Sequence, residues 1–179
     1  YKEINNLMVN TECDLIVKFK EINGENIFKT NPIRFRNSPE LLHFWGDLHG
    51  QSEETIGTGS AEEYFNFAKK KAFLDVIGHQ GNDFQITKEF WRKLNNLTKK
   101  FDETGKFIVI PGYEWSGNTG LGGDRNVFFP NEGRVIRRSS HAMLDEKDDL
   151  DTDCNTAKEL FETFIEKKEF DVVMYAHCG

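Results

Sequence analysis

The chain has 179 residues, 37% hydrophobic and 13% aromatic, with sixteen phenylalanines, enough apolar material for one buried core and too much for a disordered polymer. A formal charge of −7 argues against nonspecific partners such as nucleic acid or an anionic membrane, and no apolar run approaches the roughly 20 residues that cross a bilayer. Cys13, Cys154 and Cys178, odd in number and far apart, build neither a disulfide framework nor a zinc knuckle, which favours a reducing, cytoplasmic setting.

The first stretch reads as β. "CDLIVKFKEINGENIFKTNPIRF" holds two apolar runs around Asn23-Gly24 and Asn26, a hairpin or meander broken by Asn31-Pro32. Residues 1–35 are read as the tail of a β-rich module, and "RNSPE" as a linker to a second domain over residues 41–179. From Leu41 strands and helices alternate. Ser60 and Glu63 form a capping box for a helix with Tyr64, Phe67 and Ala68 on one face. "AFLDVIGH" is a short buried strand. Thr87 or the next residue opens a helix with Phe90, Trp91, Leu94, Leu97 and Phe101 at helical spacing, stopped at Gly105. "KFIVIPGYE" is the next strand. Thr156 and Glu159 cap a third helix through Leu160, Phe161, Phe164 and Ile165, and "FDVVMYAH" is the last strand. This order implies an α/β fold of βαβ units with a mostly parallel sheet.

The chemistry gathers at strand ends. In "HFWGDLHGQ", strict alternation puts Asp47, His49 and Gln51 on one face at the C-terminal end of the first strand. The second strand ends in His79 with Asp83 shortly after, the third in Glu114, the last in His177. In α/β folds the C-terminal strand ends converge on the active site. Imidazoles and carboxylates collected there form a ligand set for Zn, Mn or Fe. Asp47, His79 and His141 are the candidates for proton handling, and His49, His79, Asp83, Glu114 and His177 those for metal binding.

"GDLH", "LDVIGHQGND", "VIPGYEWS" and "VVMYAHCG", in this order from about His43 to the last residue, resemble the PHP (polymerase and histidinol phosphatase) superfamily, in particular a branch related to metal-dependent phosphoesterases. The resemblance implies part of a distorted (β/α) barrel with two or more divalent metal ions, whose bridging hydroxide attacks a phosphate ester. By motif, His49 matches the first histidine of the family's His-x-His, Glu114 the bridging glutamate, and His177 the histidine of Ala-His-Pro. Gln51 stands where the second histidine belongs, and His79 and Asp83 are the candidates for the Thr-Asp-His motif. Cys178 replaces the usual proline, as a thiolate ligand or a small buried thiol. The family's final Asp-x-His is missing from these residues. The 179 residues therefore read as a piece of a longer protein, expected to be inactive alone and to self-associate through an open sheet edge.

"SGNTGLGGDRN" lacks the phosphate-binding pattern GxxxxGK[ST] and reads as a mobile active-site loop, with Asp124 and Arg125 facing either the site or solvent. Gln51, Asp124, Arg125 and Arg138 are the candidates for contact with a small anionic substrate. In "RVIRRSSHAM" the arginines before His141 suit either that substrate or an exposed basic turn. "DEKDDLDTDC" mimics a calcium loop but places Cys154 where glycine is required and Leu160 where glutamate should stand. The leading reading is a metal-dependent hydrolase, most simply a phosphoesterase. An amidohydrolase-like enzyme uses the same ligands, and a non-catalytic PHP-like binding module with an eroded metal site is the contrasting class.

Overall fold

A computed structural model describes residues 8–38 and 40–177; Cys178 lies outside them. The chain divides into two units, Tyr1–His43 and Phe44–Gly179. In the first, β1 (Cys13–Leu15) pairs antiparallel with β4 (Ile33–Phe35), and β2 (Lys18–Lys20) with β3 (Ile27–Lys29). The two ladders belong to one irregular hairpin, bridged where Thr30 N–H donates to Val17 O at 3.0 Å. Arg34 and Arg36 both reach Asp14, at 3.3 and 3.0 Å. These pairs are solvent-exposed and add little.

The second unit is mixed α/β. A parallel sheet runs in the order β5 (Gly46–Gly50), β6 (Val76–His79), β7 (Ile108–Ile110). A separate antiparallel sheet runs β10 (Val173–Ala176), β9 (Arg125–Phe128), β8 (Gly112–Trp115). The stretch read as one strand, "KFIVIPGYE", is thus two. Pro111 has no N–H to give to a ladder, and the chain changes sheets there. Gly112 permits a close approach on the far side, since a Cβ would stand 2.3 Å from Val127 O. β9 falls at the end of a segment read as loop, and it makes the last strand antiparallel to its neighbour. The mostly parallel sheet is corrected accordingly, and no closed barrel forms among the described residues. A single parallel bridge, Asn82 to Glu114, links the segment after β6 to β8.

Among the described residues three α-helices form, and each begins where its cap dictates. In α1 (Ala61–Phe67) Ser60 and Glu63 complete the reciprocal capping box. The helix then widens into a π-turn over Ala68–Ala72, closed by Leu74 N–H on Ala68 O. In α2 (Lys88–Phe101) Thr87 Oγ1 accepts from Phe90 N–H at 3.0 Å. The buried Phe90, Leu94, Leu97 and Phe101 follow the 3.6-residue period. Gly105, with φ +79°, sits in the turn beyond that helix instead of ending it. α3 (Ala157–Glu166) repeats the capping box with Thr156 and Glu159, buries Leu160 and Phe164, and leaves Phe161 and Ile165 exposed. Thr87→Ala is expected to lower unfolding free energy by about 1 kcal/mol, read by urea denaturation; a change near zero would mean the helix start is held by packing alone. No helix among the described residues is long and apolar enough to cross a membrane.

Candidate metal centre

β5 does not keep strict alternation. Asp47 pairs with Ile77 and Gly50 with His79, so β5 spends three steps where β6 spends two. This bulge carries His49 out of the face it would otherwise share with Asp47 and Gln51. Asp47 Oδ1 accepts from His49 N–H at 3.1 Å and steadies the kink. His49 Nε2 then lies 3.2 Å from Glu114 Oε2, and its Nδ1 lies 2.7 Å from Asn126 Oδ1. Glu114 is buried on β8, with Oε1 accepting from Asn82 Nδ2 at 2.9 Å and from Ser116 Oγ at 3.2 Å. His177 directly follows β10, where its N–H donates to Asp124 O at 3.0 Å. Its Nδ1 is 3.6 Å from Glu114 Oε2, and its ring stacks on that of His49 with centroids 4.0 Å apart.

One ligand atom from each of His49, Glu114 and His177 lies within 4.8 Å of the other two, the one such group among the described residues. The topology explains the meeting. β8 and β10 run the same way with β9 antiparallel between them, so Glu114 and His177 occupy one end of that sheet. The parallel bridge at Asn82 brings the end of β6, and β5 beside it, to the same edge.

The model of one protein family matches residues 26–178. The chain belongs to the DUF3604 family, described as a protein of unknown function. Relatives of this DUF3604 chain are uncharacterized proteins of Chlamydia. That of Chlamydia pneumoniae is 27% identical over 131 residues, 71% of this chain and 21% of the relative. That of Chlamydia muridarum is 26% identical over 124 residues, 67% of this chain and 20% of the relative. The chain spans about a fifth of the length of the curated relatives it matches. No solved structure matches it.

The other strand-end residues of the DUF3604 chain have different surroundings. His79 is buried against the rings of Tyr64 and Phe90. Its Nδ1 accepts from Gly81 N–H at 3.2 Å, so Nε2 carries the proton and donates to Ser52 Oγ at 2.8 Å. Both nitrogens are engaged in these bonds, and burial lowers its pKa from 6.5 to about 4. Asp83 is also buried. Oδ1 accepts from Phe84 N–H at 2.6 Å, Ser116 N–H at 3.3 Å and Ser139 Oγ at 3.0 Å, and Oδ2 accepts from Ser139 N–H. Burial outweighs these donors and pushes its pKa from 3.8 up to about 7. Neither belongs to the three-residue group; both tie loops to the sheet. Asp47 stands beside Tyr64, whose hydroxyl donates to Asp47 O at 3.4 Å, and burial together with the Asp47 charge raises the Tyr64 pKa.

Gln51 turns toward Asn82: its Nε2 donates to Gln80 O at 2.7 Å and Asn82 Oδ1 at 3.3 Å, while Oε1 accepts from Thr55 Oγ1 at 2.6 Å. It supports the residue that holds Glu114 and does not stand in the three-residue group. Arg125 begins β9, with Nη1 on Asp124 O at 2.9 Å. Arg138 and His141 belong to another buried network. Arg138 donates to Ile86 O and to Asp149 Oδ2, at 3.0 and 2.8 Å. His141 lies between Asp149 Oδ1 at 3.0 Å and Asp153 Oδ2 at 2.6 Å. The acidic run that mimics a calcium loop thus neutralises a buried arginine and holds a histidine. Asn82 is legible only as an alternative register of the second motif beside His79 and Asp83, and Ser116 and Asn126 carry no signal of their own, because amides and hydroxyls are common in loops; only the strand character of "RNVF" marks Asn126 as an inward position.

Proposed function

We propose that His49, Glu114 and His177 hold a divalent metal ion, and that the protein is a metal-dependent hydrolase on a PHP-like barrel framework, acting on phosphate esters. The observation that carries this reading is the convergence of two imidazole nitrogens on one carboxylate oxygen, at 3.2 and 3.6 Å. Ligand atoms about 2.0–2.1 Å from a tetrahedral ion stand roughly 3.4 Å apart, which the two separations from Glu114 Oε2 match. Two histidines and a glutamate also match the protein-ligand count of catalytic rather than closed structural sites.

When bound, such an ion lowers the pKa of water toward about 7 and offsets charge growing on phosphoryl oxygens. The chain's own residues supply the frame. Asn82 and Ser116 fix one oxygen of Glu114 and leave the other toward the histidines. The Asp124 carbonyl fixes the backbone of His177.

Metal analysis and titration with Mn, Fe and Zn test the reading, followed by assay of generic phosphate mono- and diesters. Stoichiometric metal with metal-dependent phosphoester cleavage is the expected result. A folded protein that binds none of the three ions overturns the metal centre and leaves the non-catalytic module. Stoichiometric metal with cleavage of amides alone overturns the phosphoesterase assignment.

A further inference from the structure

We infer that Asn126 is a positioning residue that sets the His49 tautomer, through a relay that starts at the backbone of Tyr113; the inference rests on the proposed metal centre. Asn126 is buried on β9, directly opposite Glu114 on β8 and Tyr175 on β10. Its Oδ1 is 2.7 Å from His49 Nδ1.

An amide can present either its oxygen or its nitrogen to an imidazole, so the tautomer depends on what fixes the amide. Here it is Gln80, itself fully buried. The Gln80 amide matches both polar groups of Tyr113 in one orientation: oxygen accepting from Tyr113 N–H at 3.1 Å, nitrogen donating to Tyr113 O at 2.7 Å and to Asn126 Oδ1 at 3.2 Å. The reverse orientation gives Nε2 the His79 and Val127 carbonyls, each at 3.3 Å, and sets the amide oxygen against Tyr113 O. A peptide N–H only donates and a C=O only accepts, so the shorter Tyr113 contacts select the first orientation over the second. Gln80 in turn makes Asn126 Oδ1 an acceptor. Nδ1 of His49 must then carry a proton, and Nε2, 3.2 Å from Glu114 Oε2, shares with that carboxylate either a second proton or a cation. Free imidazole chooses between its nitrogens; here three consecutive contacts choose for it, at the nitrogen a cation would take.

Partners that orient a metal-bound histidine are worth about 10–100-fold in metal affinity. The test is nitrogen-15 NMR of the labelled histidines, metal-free at alkaline pH and zinc-loaded, beside zinc titration, for wild type, Asn126→Asp and Asn126→Leu. Wild type is expected to show His49 protonated at Nδ1 both before and after zinc is added, with zinc displacing any proton from Nε2. Asn126→Asp keeps the acceptor and should keep both tautomer and affinity. Asn126→Leu should release the tautomer and weaken zinc by about 10–100-fold. Metal-free wild type with a proton on Nε2 and none on Nδ1 overturns the inference, whether or not the leucine variant folds. Zinc binding equal in wild type and Asn126→Leu overturns the role of Asn126 and leaves the metal centre standing. The expected tautomer with no zinc bound by any variant overturns the metal centre and supports the relay.

Discussion

Glu114→Gln is expected to weaken divalent-metal binding by at least about 100-fold and to abolish metal-dependent hydrolysis, with the metal-free protein melting close to wild type. Residues that merely orient a ligand cost about 10–100-fold when removed, so loss of the shared ligand itself should reach or pass the upper end. Glutamine has the same shape, and its oxygen can still accept from Asn82 and Ser116. Its nitrogen, placed where Oε2 faces both histidines, has protons and no lone pair to offer a cation. Metal stabilises a folded protein only through binding, by about 2.7 kcal/mol at a hundredfold excess over Kd. The rise in melting temperature on adding Zn or Mn should therefore vanish in the variant. A glutamine variant that binds metal and melts like wild type would place any metal centre elsewhere.

The helices were legible because their signals are local. Ser60 with Glu63, Thr156 with Glu159, and Thr87 alone mark first turns by chemistry that lies within four residues. The strands were legible as apolar runs, but their pairing was not. Pro111 divides one run between two sheets, and β9 hides behind a glycine-rich loop, so the antiparallel sheet becomes visible only in three dimensions. The site follows the same division. Strand-end position brings His49, Glu114 and His177 to one edge because β5, β8 and β10 all end there. It gives no account of hydrogen-bond partners, and these separate His79 and Asp83 from the group: each lies at or just beyond a strand end, and each is engaged by its own hydrogen bonds. The bulge that turns His49 away from Asp47 depends on register against β6, which a period-2 pattern cannot contain.

The burial of His79 and Asp83 has a consequence for acid stability. Folding lowers the His79 pKa from 6.5 to about 4 and raises that of Asp83 from 3.8 to about 7. Between about 4 and 6.5, then, the unfolded chain holds a proton on His79 and the folded chain holds one on Asp83. Taken singly, the two groups act in opposite directions. Stability from neutral His79 is present above 6.5 and lost as pH falls toward 4. Stability from neutral Asp83 is present below 3.8 and lost as pH rises toward 7. In wild type the contributions cancel, because folding takes up and releases the same number of protons from this pair. Each single variant should expose the other group. His79→Gln is expected to tilt the stability curve of the 44–179 unit by about 1.4 kcal/mol per pH unit relative to wild type, gaining stability as pH falls. Asp83→Asn should tilt it by a similar amount the other way, losing stability as pH falls, on top of roughly 1–3 kcal/mol lost at every pH from a missing acceptor. Urea unfolding at several pH values within the window reads both slopes, and groups that titrate equally in all three proteins drop out of the differences. Curves parallel to wild type for both variants would show that neither buried group changes its proton on folding, and slopes of the same sign would show that the pair does not exchange one.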